Sequence, residues 1–123
     1  MDNALNWFEI PSTDIDRAAA FYGAIFDATI EVFEMHPGFK MATLPYESGK
    51  GVGGAIVTGE FYTPSTDGTL VYLNGGDDLS VVLDRVENAG GKVLGPKQDI
   101  GENGFIAIFL DTEGNRVGLH SMG

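Results

Sequence analysis

Apolar residues recur along the chain at two spacings, and the two spacings appear in the same order in both halves. Leu5, Asn6, Trp7, Phe8, Glu9 and Ile10 read as a strand closed by Pro11. Ser12, Thr13 and Asp14 offer N-cap oxygens. Ile15, Ala18, Tyr22 and Ile25 then recur at helical spacing, which predicts an amphipathic helix over 14–26. Residues 28–34 are rich in β-formers and end at a turn, His36–Pro37–Gly38; 39–46 and 51–58 read as two more strands. A polar stretch over 59–68 reads as a linker. Beyond it, 69–73 reads as a strand, and Asp77 or Asp78 caps a helix whose stripe is Leu79, Val82, Leu83 and Val86. Gly90 and Gly91 stop that helix. Strands follow near 92–96, 104–110 and 115–120, the last two joined as a hairpin by the turn at 111–115.

The pattern is an internal repeat of β-α-β-β-β. An offset of 64 places Asp14 on Asp78, Ile15 on Leu79, Ala19 on Leu83, Tyr22 on Val86, Leu44 on Ile108 and Gly54 on Gly118. The fold class expected is therefore α+β, with one module over about 1–62 and a second over about 67–123, both within a single domain.

Composition narrows the function classes. The 34 Leu, Ile, Val and Phe residues among 123 suffice for a packed core, and 18 glycines between the periodic segments fit many short strands joined by turns. There is no Cys, so disulfides, thiolate ligands and Cys nucleophiles are absent together. The formal charge of −11, with the acids spread evenly over both halves, opposes phosphate backbones, so no nucleic-acid partner is expected. No apolar run reaches the ~20 residues of a membrane span, and the first residues lack a signal-peptide pattern, so a cytoplasmic protein is expected.

Three strings carry a resemblance: WFEIPSTDIDRAAAFYGAIF at 7–26, GGDDLSVVLDRVENAGGKVLGPK at 75–97 and GFIAIFLDTEGNRVGLHS at 104–121. The chain resembles the vicinal oxygen chelate superfamily of glyoxalases, bleomycin-resistance proteins and extradiol dioxygenases over nearly its whole length. The resemblance implies two βαβββ modules whose curved mixed sheets surround a shared cleft. It also implies a divalent metal there, held by side chains of the first and fourth strands of each module and acting as a Lewis acid. The positions carried over are Trp7, Gly54, Val71 and Gly118. None has a metal-binding side chain, so neither a metal nor any other cofactor is expected, and these four become candidate ligand-binding positions instead.

Strand alternation puts Glu9 on the face of Trp7 and His120 on the face of Gly118. Both are candidate catalytic groups. An apolar pocket around Glu9 would suit it to proton abstraction, and Trp7, with room left at Gly54 and Gly118, would be a stacking platform. His36 reads as a surface turn residue, Tyr46 and Tyr62 as loop flanks that either line an entrance or pack at an edge, and Lys97 as a loop charge that is solvated, or else salt-bridged or in contact with an anion. No phosphate loop, dinucleotide fingerprint or nucleophile elbow is present, and adjacent His120 and Ser121 point to opposite faces, which speaks against triad chemistry. Three readings follow. The first is a metal-independent family member that binds a small, partly apolar ligand. The second is a sequestering protein for a cationic antibiotic, of the bleomycin-resistance type. The third is a metal-dependent lyase or dioxygenase with non-standard ligands. The sequence leaves open whether a reaction is catalysed. A homodimer is expected, because open sheets expose edges and the family commonly dimerises.

Overall fold

The computed structural model describes residues 3–123. The chain divides into two compact units, Met1–Pro64 and Ser65–Gly123. The class is α+β: each unit is an open four-stranded mixed sheet with one helix between its first and second strands.

In the first unit β1 (Trp7–Pro11) leads into α1 (Ile15–Phe26), followed by β2 (Val32–His36), β3 (Phe39–Thr43) and β4 (Gly53–Thr58), in the sheet order β1-β4-β3-β2. Asp14 caps α1 by accepting from the Arg17 N–H, as its position before the apolar stripe predicts. The helix closes with Asp27 in the left-handed conformation, and the Ala28 N–H returns to the Gly23 carbonyl. This closure explains why β2 starts at Val32 and not at 28: the residues after the helix are first used to satisfy its last carbonyls. Ile10, Ile56 and Ala42 lie side by side across β1, β4 and β3 and are buried, and α1 packs against β4, β3 and β2. At the helix entry the Ser12 hydroxyl is hydrogen-bonded to that of Thr58.

In the second unit β5 (Tyr72–Asn74) precedes α2 (Ser80–Leu83), β6 (Lys92–Asp99), a 3-10 turn at Gly101–Asn103, β7 (Phe105–Leu110) and β8 (Arg116–Ser121), in the order β5-β8-β7-β6. The predicted stripe Leu79, Val82, Leu83 and Val86 is buried, although only its centre is α-helical. The Leu79 N–H donates to the Ser121 hydroxyl, fixing the helix start over the face that carries Leu73, Leu119 and Ala107. The turn at 111–115 is organised by buried Asp111, which accepts from the Glu113 and Asn115 N–H groups and from the Asn115 amide.

β6 runs three residues past its expected end. Pro96 should stop a strand, but β6 is an edge strand with register shifts on either side of Gly95, where a missing N–H is tolerated. Lys97 is thus a strand residue and not a solvated loop charge. Its Nζ lies 2.9 Å from Asp78 and 4.4 Å from the centre of the Phe105 ring. Asp78 also accepts from the Ser80 N–H, so one carboxylate joins the start of α2 to β6.

The Lys97 hydrogen bond, with those from Ser80, holds the Asp78 carboxyl down to about 2. A carboxyl depressed in the folded state adds stability above its unfolded value and loses it as pH falls through the folded one. Acid unfolding followed by circular dichroism should therefore show a stability loss between about pH 4 and pH 2. Asp78→Asn should flatten that part of the profile while leaving neutral-pH spectra unchanged.

Candidate functional site

Paired strand residues share a face, so the register assigns every candidate. Trp7 pairs with Gly53 and Glu9 with Ala55, which puts Trp7, Glu9, Gly53 and Ala55 on the face opposite Ile10. Trp7 is 41% exposed, and Glu9 is exposed beside it. The indole Nε1 donates to Glu9 Oε2 at 3.3 Å, and the Tyr62 hydroxyl donates to Oε1 at 2.9 Å. The Tyr62 ring meets the Phe39 ring edge-on at 5.8 Å, and Phe39 stacks on His36 at 5.0 Å. Tyr46 covers Gly53, where an added Cβ would sit 2.7 Å from its ring. The first unit therefore carries one carboxylate held by two aromatic donors, with further rings alongside.

The solvated position of Glu9 corrects the expectation of an apolar pocket around it. Its neighbour responds to it: the Tyr62 hydroxyl is raised above its ordinary value, first by its hydrogen bond to Glu9, then by burial and by the Glu9 charge. Proton loss from Tyr62 would set two negative groups against each other, so the pair stays intact through the neutral range.

Gly54 falls on the other face. It pairs with Phe8, and a Cβ there would collide with the Phe8 ring on the side of Ile10. No room is left beside Trp7 at that position. In the second unit Tyr72 pairs with Gly118 and Asn74 with His120, while buried Leu73 pairs with buried Leu119. Alternation gives Val71 the face of Leu73, and the ring of Tyr72 fills the space over Gly118. The ungapped offset of 64 is thus one residue out in these strands. The insertion is visible at Gly75–Gly76, where Asn74 Oδ1 accepts from the Gly76 N–H and Gly76 takes φ +80°. A slip of one residue turns a strand over, and that is why Gly54 and Val71 point away from the faces assigned to them. Counted across that insertion, Glu9 matches Tyr72 and Ala55 matches Gly118, as buried Ile10 matches buried Leu73 and buried Ile56 matches buried Leu119. Glu9 lies in the first unit and His120 in the second, where His120 Nε2 is 2.7 Å from the Asn103 carbonyl oxygen.

Neither set of positions suits a divalent metal. Trp7, Gly54, Val71 and Gly118 carry no ligating side chain, Glu9 is a lone carboxylate on its face, and among the described residues no three His, Asp or Glu side chains gather to hold an ion. Sequence reasoning passed over Phe39 and named Tyr46 and Tyr62 only as loop flanks, without their partners. Tyr62 lies 53 positions from Glu9, and only the parallel return of β4 beside β1 brings the two together.

The family model for the Glyoxalase/Bleomycin resistance protein/Dioxygenase superfamily matches residues 4–119. The chain belongs to this superfamily. The CFP32 proteins of Mycobacterium bovis and Mycobacterium tuberculosis, whose glyoxylase designation is itself provisional, are each 29% identical over 117 residues. Those residues are 93% of this chain but 44% of the curated relatives, so the chain spans less than half of their length. The fold matches a glyoxalase/bleomycin resistance protein from Albidiferax ferrireducens, with TM-score 0.73, 14% identity and coverage of 98% and 100%. It also matches a glyoxalase I mutant from Zea mays, with TM-score 0.67, 20% identity and coverage of 95% of this chain and 45% of that one.

The Phe8–Gly54 contact gives a direct check on the face assignment. Gly54→Ala should cost ~1–3 kcal/mol in a urea titration, because the new methyl overpacks against the ring. Combined with Phe8→Ala it should cost clearly less than the sum of the two single changes. Strict additivity would place Gly54 on the Trp7 face instead.

Proposed function

We propose that this superfamily member binds a small, partly apolar organic cation on the Trp7–Glu9 face, without a metal. The observation that carries the reading is the Glu9 carboxylate, fixed by the Trp7 indole and the Tyr62 hydroxyl and accessible from solvent. A cation gains Coulomb attraction from the carboxylate and quadrupole attraction from ring faces, and it keeps its apolar parts against Trp7 and Tyr46. The net charge of −11 adds long-range attraction for positive ligands. A preference for cations is also what drug sequestration of the bleomycin-resistance kind requires. The lyase and dioxygenase readings need ligands that the aromatic and glycine positions do not supply. Glu9 is then a charge partner, and Trp7 the stacking platform. Gly53 gives the Tyr46 ring its place over the strand.

We further propose a homodimer. The free edges β2 and β6 and the exposed Phe33 and Met35 on β2 support it. Light scattering should return twice the chain mass at micromolar concentration; a monomer there would refute it.

The chain has one Trp, so indole fluorescence reports this face without ambiguity. Benzyltrimethylammonium should quench it saturably, and benzoate at the same concentration should not. Glu9→Gln should weaken cation binding by ~1–3 kcal/mol and leave the melting temperature nearly unchanged. Tyr62→Phe should weaken it less, because the charge remains while one of its supports is lost. Equal responses to the cation and the anion, or a Glu9→Gln protein that binds as tightly as the parent, would sink the reading.

A further inference from the structure

The second unit has an unspent polar edge of its own. Tyr72, Asn74 and His120 line one open depression together with Gly76, Asp77 and Met122. Asn74 and His120 are neighbours across the β5–β8 pair, and Tyr72 lies two residues along the same face. Two of the three side chains are fixed in orientation by the backbone. Asn74 Oδ1 accepts from the Gly76 N–H at 2.9 Å, which turns the Nδ2 hydrogens outward as donors. His120 Nε2 is 2.7 Å from the Asn103 carbonyl oxygen. A carbonyl only accepts, so Nε2 carries the hydrogen, and in the neutral ring Nδ1 is left as an acceptor. Among the described residues, Asn74 Nδ2, His120 Nδ1 and the Tyr72 hydroxyl have no protein partner. The Tyr72 ring lies over Gly118, where any Cβ would collide with it, and its outer side is 44% exposed.

A donor and an acceptor fixed on adjacent strands, beside an exposed ring, form a complementary edge. We propose that this face of the second unit recognises the edge of an uncharged cyclic amide or imide. Asn74 Nδ2 donates to the ligand carbonyl, His120 Nδ1 accepts the ligand N–H, and the Tyr72 ring supplies a flat wall for the heterocycle. The site selects by hydrogen-bond pattern where the Trp7–Glu9 face selects by charge, and neither reading depends on the other. Because both polar groups are held by backbone partners, little ordering is left for the ligand to impose. A ligand methylated on nitrogen loses its donor and leaves Nδ1 facing a methyl group, which the site should reject.

The test is a titration of the isotope-labelled full chain at pH 8 with glutarimide and with N-methylglutarimide, read by side-chain nitrogen NMR. The chain has two histidines, so the two ring signals are separable by a His36→Gln control. Glutarimide should move the His120 Nδ1 resonance saturably, and the N-methyl compound should bind at least about tenfold more weakly. Asn74→Asp keeps the Oδ1 contact to Gly76 but replaces the outward donor with an acceptor, and it should also cost about tenfold. His120→Ala should abolish the saturable glutarimide shift of the Asn74 side-chain amide resonance, with its backbone spectrum checking that the fold persists. Equal binding of the two imides, an unaffected Asn74→Asp protein, or no saturable His120 shift would each overturn the proposal.

Discussion

The parallel pairing of the first strand of each unit with its last decides what every other part of the molecule can do. β1 pairs with β4 and β5 with β8, and each pair encloses a helix and a hairpin between its members. Such pairing cannot come from a tight turn; it needs the crossover supplied by α1 and, in a shorter form, by the segment around α2. Its register fixes two outcomes at once. It aligns Ile10 with Ile56 under the helix, and it aligns Trp7 and Glu9 with the small residues Gly53 and Ala55 on the opposite side. Large side chains on β1 can cover that side only because β4 contributes almost no volume there. The same trade recurs in the second unit, where Tyr72 lies over Gly118.

That register also explains what could be read from residues alone. The strand and helix order, the cap at Asp14, the buried stripes of both helices and the hairpin around Asp111 all depend on spacings of a few residues, and they are visible locally. The class and family follow from those elements. Faces were harder. The helices align at an offset of 64, but one extra residue in the Asn74–Gly76 turn shifts β5 against its helix, and a single shift reverses every side chain of a strand. Leu73 gave a sign of this: it is the most apolar residue of its short strand, and it takes the buried face while its offset mate, Glu9, does not. Tyr62 and Tyr46 were legible as loop residues that either line an entrance or pack at an edge. Their roles come from long-range contacts to Glu9 and Gly53, and no local spacing encodes those.

Duplication followed by divergence gives the two faces different chemistry on one frame. In the matched register Glu9 corresponds to Tyr72 and Ala55 to Gly118, so a carboxylate beside a small residue in one unit stands where the other has a ring over glycine. Val57 corresponds to His120, and this change adds a ring that a nearby carbonyl can orient. The frame tolerates these changes because neither position contributes to the helix-side core.

A metal-free site is the reading we propose for these positions, and donor chemistry is the reason. A chelating site needs several charged or imidazole donors converging on a point, and each must be desolvated and oriented for the ion. Replacing those donors with aromatic rings and glycines removes the convergence but keeps the concentration of polarisable surface. What remains suits ligands that bring their own charge or their own hydrogen-bonding edge. The carboxylate of Glu9 and the amide of Asn74 are each pinned by a partner within their own unit, so in the proposed sites discrimination would rest on groups whose orientation is set before a ligand arrives.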